Sequence, residues 1–305
     1  MMKKINDIIG DAKTIGIAGH VRPDGDCMGS CMSLYNYLKK NRPDLDVRVF
    51  LEFVDKKFNI IENTDQIITK GYDGTKFDLF ISLDTASLDR LGLNLPFYEN
   101  AKRTACIDHH ASNDGYADYN YILPKASSAS EVLYDLLDEN LIDKSIAEPM
   151  YMGIAHDSGV FRFQSTTPKT MRIAANMIEK GVNVNMILEE TFFRKTYNQM
   201  MVTAKIQSEA VLALDGKCIY GYCTSEMMEE YGVTTKDLDA VVASIRNVDG
   251  VEVAMFLYQL SEDSYKVSLR SKNYVDVSKI AVFFGGGGHV RAAGCDMQLS
   301  LIHIS

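Results

Sequence analysis

The stretch IGIAGHVRPDGDCMGS, residues 15–30, decides the architecture of the first half of the chain. An apolar run, a polar segment shaped by Pro23 and Gly25, and a helical pattern follow one another directly, as strand, loop and helix do. Three further near-continuous apolar runs follow, at VRVFLEF (47–53), FDLFISL (77–83) and TACI (104–107). Such runs are typical of strands buried on both faces, so we predict an α/β fold with a doubly wound parallel sheet. Binding sites in such sheets lie at the carboxyl ends of the strands.

Two helical patterns accompany these strands. In SASEVLYDLLDEN (128–140) we expect Ser130 to cap a helix. MGSCMSLYNYLKK (28–40) places five residues on one apolar stripe: Met28, Cys31, Met32, Tyr35 and Leu38. Cys27 and Cys31, four residues apart, are expected to pack as small buried side chains.

The pattern changes after FFRKTYNQM (192–200), which we assign to a linking helix. Strands are predicted close together at GKCIYGYCTS, VEVAMFLYQL and SYKVSLRSK, with a helix at TTKDLDAVVASIRN. This indicates a first domain at 1–190, a linker helix at 191–205 and a smaller α+β domain at 206–305. The tail LSLIHIS suggests that the second domain ends early, so we give His303 no functional weight.

Composition excludes several classes of protein. A chain of 305 residues with 46% hydrophobic content can form two domains with cores, and no window approaches the ~20 apolar residues of a membrane span. Six cysteines without a C-x-x-C pair favour a reducing compartment, so a soluble cytoplasmic protein is expected. The net charge of −9 has the wrong sign for gripping long nucleic acid. An anionic substrate would therefore need local cations, such as metal ions.

Acidic and imidazole side chains occur where the predicted elements end. Six of them would converge on one edge of a parallel sheet: His20, Asp24, Asp26, Asp84, His109 and Asp157. Taken alone, the two acids of PDGD are more often simple turn formers. Four carboxylates cannot crowd together without cations, because each raises the pKa of the others. The sequence therefore favours a metal site.

Oxygen-rich ligands with two imidazoles favour Mn²⁺ over a structural zinc ion, with Co²⁺, Fe²⁺ and Mg²⁺ as alternatives. Six ligands are too many for one open ion. Two ions ~3.5–4 Å apart that share a carboxylate and a hydroxide are suited to phosphoester hydrolysis. We expect Asp84 to be the bridging carboxylate.

Five motifs resemble those of a known family. GHVRPDGDCMGS, FISLDTAS, CIDHHAS and GIAHDSGVFRF resemble the four sequential motifs of the DHH phosphoesterases, and FFGGGGHVRAAGC resembles the signature of the DHHA1 substrate domain. The resemblance implies an N-terminal DHH domain and a C-terminal DHHA1 domain. It also implies that His20 and Asp24 hold one Mn²⁺ and that Asp26 and His109 hold the other. Asp84 would bridge the two ions, and Asp157 would complete the set.

The resemblance also implies roles outside the metal ligands. Asp108 would orient the metal-binding side chains without binding an ion itself. His110 would face the substrate phosphate and neutralise or protonate it. In the second domain the implied substrate contacts are Arg270, Gly286, Gly287, Gly288 and His289. Without the following HVRAAG, the glycines would be more typical of a flexible loop and Arg270 of a solvated strand. Arg162 and Arg246 are weaker candidates.

Within the family, the motif set resembles short stand-alone oligoribonucleases that also act as phosphatases on 3'-phosphoadenosine 5'-phosphate (pAp). The implied function is Mn²⁺-dependent hydrolysis of pAp and of short oligoribonucleotides such as pApA, giving mononucleotides. A single-strand exonuclease of the RecJ kind and a non-catalytic nucleotide-binding protein are the alternatives. A homodimer is compatible with the resemblance, although the residue pattern shows no unmistakable interface.

His156 departs from the family pattern, in which a small or apolar residue precedes the last aspartate. It could donate a hydrogen bond near the metal ions. We expect instead a histidine at a helix end, satisfied by backbone carbonyls.

Overall fold

The computed structural model describes residues 4–238 and 241–298. The chain divides into two compact units on either side of the Arg194–Lys195 bond. In the segment assigned to a linking helix, a π-helical turn at Glu189–Phe193 ends the first unit. The helix that follows, Tyr197–Glu209, lies in the second unit because Val202 and Ile206 pack into that unit's core. LSLIHIS and His303 lie outside the described residues.

The first unit contains a five-stranded sheet in the order β2-β1-β3-β4-β5, and each neighbouring pair is parallel. Its strands are β1 (Thr14–Ala18), β2 (Asp46–Phe50), β3 (Leu79–Leu83), β4 (Thr104–Asp108) and β5 (Tyr119–Ile122). The predicted parallel sheet is confirmed. The edge strand β5 was not predicted, because its YNYI sequence is half exposed and lacks a continuous apolar run.

Helices cover this sheet. They are α1 (Ile5–Ile9), α2 (Gly25–Asn41), α3 (Leu95–Glu99), α4 (Ala129–Leu136), α5 (Lys144–Asp157), α6 (Pro168–Glu179) and α7 (Val184–Leu188). Successive strand residues enter different cores: Val49 packs with the large helical core, whereas Phe50 packs in an aromatic cluster with Phe97. This alternation explains why the strands are apolar throughout.

Helices α2 and α5 cross at unusually short distance because glycines face each other. A Cβ on Gly29 of α2 would lie 2.4 Å from the Pro149 carbonyl oxygen and 2.9 Å from Gly153 Cα, both in α5. The crossing brings the N-terminus of α2 beside the C-terminus of α5. Two distant parts of the chain thereby deliver their acidic residues to the same end of the sheet.

The predicted cap of α4 is wrong. Ser128 is the N-cap, and its Oγ accepts a hydrogen bond from the Glu131 amide at 3.0 Å. The Ser130 amide is used elsewhere, because it donates to Asp26. The SSAS sequence offers several hydroxyls, and the tertiary contact with Asp26 decides which of them caps the helix.

The second unit contains a six-stranded mixed sheet in the order β10-β11-β9-β8-β7-β6, in which only the β7–β8 pair is parallel among the described strands. Its strands are β6 (Val211–Ala213), β7 (Cys218–Cys223), β8 (Val253–Ser261), β9 (Ser264–Ser271), β10 (Gly287–His289) and β11 (Ala292–Gln298). Its helices are α8 (Tyr197–Glu209), α9 (Ser225–Tyr231), α10 (Val241–Ile245) and α11 (Val277–Phe283). The predicted α/β chain with a smaller α+β second region is confirmed. None of the helices in the described part of the chain has the length and apolar character needed to cross a membrane.

Candidate metal centre and substrate face

The carboxyl end of the first sheet gathers the acids and histidines of the four N-terminal motifs. Asp24 caps α2, Asp157 is the last residue of α5, and His109 follows β4 directly. Asp84 follows β3 with a positive φ of 52°, an uncommon conformation for a residue other than glycine. This turn directs its carboxylate into the group, where the side chain is 3% exposed.

Asp84 lies at the centre of the group. Its Oδ2 is 3.5 Å from His20 Nε2, and its Oδ1 is 3.5 Å from His109 Nε2. Around this centre, His20 Nε2 is 3.7 Å from Asp24 Oδ2, and His109 Nε2 is 3.1 Å from Asp157 Oδ2. One carboxylate therefore contacts both imidazoles, as a bridging ligand would.

The His20 ring is oriented by the backbone. Its Nδ1 is 2.8 Å from the Val21 carbonyl oxygen, which can only accept, so Nδ1 carries the proton. Nε2 faces Asp24 and Asp84, and in the neutral ring this nitrogen would offer its lone pair to a metal ion. Neutral histidines bind metals in this tautomer, with the other ring nitrogen held by a carbonyl or carboxylate.

The two acids of PDGD are held by different amides. Asp24 Oδ1 accepts from the backbone amides of Asp26 and Cys27, at 3.0 and 3.1 Å. Asp26 is fully buried and accepts from the amides of Ala129 and Ser130 at the start of α4. Asp24 is thus a turn former, yet its second oxygen remains directed at His20. Asp26 reaches another helix, a contact that a local turn does not explain.

Asp108 and His110 form a pair beside this centre. His110 Nδ1 is 2.8 Å from Asp108 Oδ1, and Asn113 Nδ2 donates to Asp108 Oδ2 at 2.7 Å. His110 therefore presents Nε2 away from Asp108. Asn113 was missed in the sequence, although it stands within the HHASN segment, where an amide close to an acid could have been noticed.

Burial and neighbouring charges shift the pKa values of the carboxylates. Burial, together with the charges of Asp84 and Asp157, raises the pKa of Asp26 well above its ordinary value. Burial also raises the pKa of Asp157. Burial opposes ionisation of Asp84, but hydrogen bonds to His109 and His20 outweigh it and hold its pKa well below the ordinary value.

The two imidazoles balance this negative charge. Burial disfavours their charged forms, but the neighbouring carboxylates raise the pKa of both His20 and His109 well above the ordinary value. Protons on the two imidazoles therefore supply the positive charge that balances the carboxylates. Bound divalent cations would supply that positive charge instead.

The donor atoms fit such cations. Two overlapping groups share Asp84 and keep their donor atoms within 4.8 Å of one another: Asp26, Asp84 and His109, and Asp84, Asp108 and His110. A third group adds His20 and Cys27 to Asp84. Burial raises the pKa of the Cys27 thiol well above its ordinary value, so it stays protonated and a poor ligand. The remaining oxygen and imidazole donors suit Mn²⁺ and related ions.

His156 does not use the backbone carbonyls that we expected, so that prediction is wrong. Its Nε2 lies 2.9 Å from the hydroxyl oxygen of Thr191 in the π-helical turn. The helix end is satisfied by other means, because the Ser158 amide donates to the Ile154 carbonyl. Burial lowers the pKa of His156 to about 4.

In the second unit, Arg270 and His289 lie on one face of the sheet. Both residues pair directly with Ala292, from the strands on either side of it. Residues opposite each other in antiparallel strands point to the same face. Ser268, Gly294 and Gly287 form the next row of this face. A basic side chain and an imidazole thus flank a floor of small residues, which we call the small-residue face.

Two of the four glycines form a strand. Gly287 and Gly288 belong to β10, and a Cβ on Gly286 or Gly288 would lie 2.1 or 2.5 Å from carbonyl oxygens of β11. Gly286 and Gly288 are therefore needed for the hairpin itself. A Cβ on Gly287 would meet no atom of the described residues within 4 Å. Of the three glycines predicted to contact the substrate, Gly287 is the one with space beside it.

The weaker candidates contact backbone. Arg162 donates to the Gly159 carbonyl at 3.1 Å, and Arg246 donates to the Ser271 carbonyl at 3.4 Å. The first bond closes a local turn, and the second joins the end of α10 to the end of β9.

Comparison with known proteins agrees with this geometry. The model of the DHH family N-terminal domain matches residues 14–154, and that of the DHHA1 domain matches residues 215–301. The chain is 32% identical to a protein of Thermus thermophilus named bifunctional oligoribonuclease and PAP phosphatase NrnA, over 93% of this chain and 84% of the relative. The chain belongs to the DHH phosphoesterase family. The assignment by motif resemblance is confirmed.

Two further comparisons concern a curated protein and a solved structure. A Bacillus subtilis protein with the same name is 27% identical, over 93% of this chain and 89% of the relative. The crystal structure of an exopolyphosphatase-related protein from Bacteroides fragilis superposes with a TM-score of 0.88 at 23% identity. It covers 98% of this chain and 91% of the other, and so shows that the fold is shared.

Proposed function

We propose that this DHH phosphoesterase hydrolyses short oligoribonucleotides such as pApA, and also pAp, to mononucleotides with two Mn²⁺ ions. The observation that carries the proposal is the position of Asp84, within 3.5 Å of both His20 and His109 in a buried group of carboxylates. The names of the relatives in Thermus thermophilus and Bacillus subtilis support the substrate class.

The proposed ligands divide into two sets. His20 and Asp24 would hold one ion, Asp26 and His109 would hold the other, Asp84 would be shared between them, and Asp157 would complete the set. When bound, such ions activate water for attack on phosphorus and neutralise the charge of the phosphate. Backbone amides hold Asp24 and Asp26, and a backbone carbonyl holds His20, so these three side chains would need little reorganisation to bind the ions.

Asp108 and His110 act on the substrate. Asp108 accepts the Nδ1 proton of His110 and is itself fixed by Asn113. His110 Nε2 is then placed to donate a proton to a phosphate oxygen. A carboxylate that orients an imidazole fixes which ring nitrogen faces the reacting group, as general acid catalysis requires.

The small-residue face binds the substrate phosphate. The planar guanidinium of Arg270 can donate two parallel hydrogen bonds to one phosphate group. Ala292, Gly294 and Ser268 leave the backbone accessible beside it. His289 adds a donor from the other flank, and Gly287 allows close approach.

A cytoplasmic location fits the thiol chemistry. All six cysteines lie in the described residues, and all six are free thiols. A reducing compartment keeps such a set unpaired.

The test compares pApA, pAp and a long single strand as substrates, each with Mn²⁺ and with a chelator. We expect rapid Mn²⁺-dependent cleavage of pApA and pAp and slow cleavage of the long strand. Faster cleavage of the long strand would support an exonuclease of the RecJ kind. Nucleotide binding without turnover would support a non-catalytic protein.

A further inference from the structure

His156 packs against the backbone between two of the proposed metal ligands. An ideal Cβ on Gly25 would lie 2.1 Å from Cγ and 2.3 Å from Nδ1 of the His156 ring. Gly25 separates Asp24 from Asp26, and His156 directly precedes Asp157. The imidazole therefore fills the space that a side chain at position 25 would need.

A hydrogen bond holds the same ring on its other side. Thr191 Oγ1 donates to the Ile187 carbonyl at 2.7 Å, so a lone pair of this oxygen must accept the bond from His156. The proton of His156 is thus on Nε2. Thr191 is 4% exposed and lies in the π-helical turn, a feature often found at functional sites.

Aromatic side chains fix the plane of the ring. The centroids of Phe58 and Phe192 lie 5.9 and 5.3 Å from that of His156. Together with Gly25 and Thr191, they leave the imidazole a single orientation.

We propose that His156 is a positioning residue for the metal centre. Its ring joins the N-terminus of α2 and the C-terminus of α5 to the π-helical turn through Thr191. The inference rests on the proposed metal binding by Asp24, Asp26 and Asp157. The ring does not contact the substrate. Its effect is to keep two helix ends, and the carboxylates on them, at a fixed separation.

The experiment is a calorimetric titration of the metal-stripped protein with Mn²⁺ alone, for the wild type and for variants. We expect His156→Ala to weaken Mn²⁺ binding by ~10–100-fold, as the loss of groups that orient ligands does. Thr191→Val should weaken Mn²⁺ binding by a smaller factor, because the His156 ring remains in place but loses the hydroxyl that accepts its hydrogen bond. His156→Gln should recover part of the affinity, since its amide can donate to Thr191.

Thr203→Val is the matched control. Thr203 is also a buried threonine. Like Thr191, it donates its hydroxyl to the backbone carbonyl four residues earlier, here from Thr203 Oγ1 to the Gln199 carbonyl oxygen at 2.6 Å. It lies in α8 of the second unit, so its removal should leave Mn²⁺ affinity unchanged. In turnover of pApA, His156→Ala should lower kcat at saturating Mn²⁺ and leave KM unchanged.

The outcomes separate this inference from the proposed function. Wild-type protein that binds no Mn²⁺ would overturn both. Wild-type protein that binds two ions, with equal affinity in His156→Ala and Thr191→Val, would overturn the inference alone. If His156→Ala does not fold, Thr191→Val against Thr203→Val decides the question by itself.

Discussion

In the proposed function, the carboxyl end of the first sheet and the small-residue face of the second sheet differ in how they would bind a phosphate. The first gathers charged side chains from four chain segments, buries most of them, and fixes His20, Asp24 and Asp26 by backbone hydrogen bonds. The second presents backbone and small residues with two polar side chains at its flanks. The difference teaches that chemistry here requires rigid, charged groups, whereas recognition requires access. Mutations in the two regions should therefore affect different kinetic constants.

The largest expected effect is at Asp84. Asp84→Asn keeps the shape of the residue and tolerates its positive φ, but removes the charge that the bridging role requires. We expect kcat for pApA to fall by ~10³-fold or more, equivalent to over ~4 kcal/mol of transition-state stabilisation. Asp84→Ala should lose at least as much. The measurement is initial-rate hydrolysis of pApA in excess Mn²⁺.

Asp89→Ala is the control for Asp84, since it removes an exposed carboxylate five residues further along the chain. It should have wild-type rates. Wild-type rates in purified Asp84→Asn would contradict the role of the first region in the comparison.

Arg270→Ala should act on binding instead. Losing a guanidinium that holds phosphate should raise KM for pApA by ~10–100-fold, with kcat and Mn²⁺ affinity retained. Arg270→Lys should recover only part of the affinity, because an ammonium lacks the planar fork. Steady-state kinetics with a parallel Mn²⁺ titration checks both constants.

The control for Arg270 is Lys266→Ala. Lys266 lies on the same face of the same strand but is paired with Asp296 at 2.8 Å. It should leave KM unchanged. Equal increases in KM for the two substitutions would show that positive charge in general, and not the planar guanidinium of Arg270, binds the substrate phosphate.

Gly287 tests access to the small-residue face. Gly287→Ala adds a methyl group where the described residues leave space, so the hairpin should stay intact. KM should rise by ~3–10-fold if a ligand approaches the backbone there. Gly288→Ala should instead destabilise the hairpin, because its Cβ would lie 2.5 Å from the Ala292 carbonyl oxygen at a φ of 140°.

Thermal melting distinguishes the two glycine variants. An unchanged KM in Gly287→Ala, with the melting temperature also unchanged, would place the ligand elsewhere on the second unit.

The smallest effect on activity is expected at Glu252, which holds the segment that follows β9 in the second unit. Its carboxylate is 4% exposed and accepts hydrogen bonds from the amides of Asn273, Tyr274 and Val275. Burial opposes its ionisation, but these bonds lower its pKa below the ordinary value. A carboxylate with a lowered pKa in the folded state stabilises that state above its unfolded pKa of about 4.3. This stabilisation is lost as pH falls through the lower, folded pKa.

Glu252→Gln should therefore weaken hydrogen-exchange protection of the amides at 273–275 at pH 6–7, and their protection should change less than in the wild type as pH falls below about 4. Hydrogen-exchange mass spectrometry of peptides that contain residues 273–275 measures this. Identical protection in both proteins at every pH would contradict the stabilising role of Glu252.

Much of this arrangement could be predicted from the sequence, because local signals decide it. Continuous apolar strands that end in Asp84, Asp108 and His109 predict both a parallel sheet and a group of acids at its edge. Periodicity and strand order are enough for that step.

The errors come from contacts between distant segments. Ser128 rather than Ser130 caps α4, since Asp26, more than a hundred residues earlier, takes the Ser130 amide. The close crossing at Gly29 and Gly153, and the bond between His156 and Thr191, depend on helix packing that no local pattern shows. The pairing of Gly287 and Gly288 with β11 also joins segments that the run of glycines alone does not identify as a strand.

The central claim is that six side chains around Asp84 hold two divalent ions. A crystal grown with Mn²⁺, with diffraction data collected at the manganese absorption edge, tests it most directly. The account predicts two anomalous peaks on either side of the Asp84 carboxylate, one against His20 and Asp24 and the other against Asp26 and His109. Peaks that lie elsewhere, or no peak in this group at saturating Mn²⁺, would contradict it.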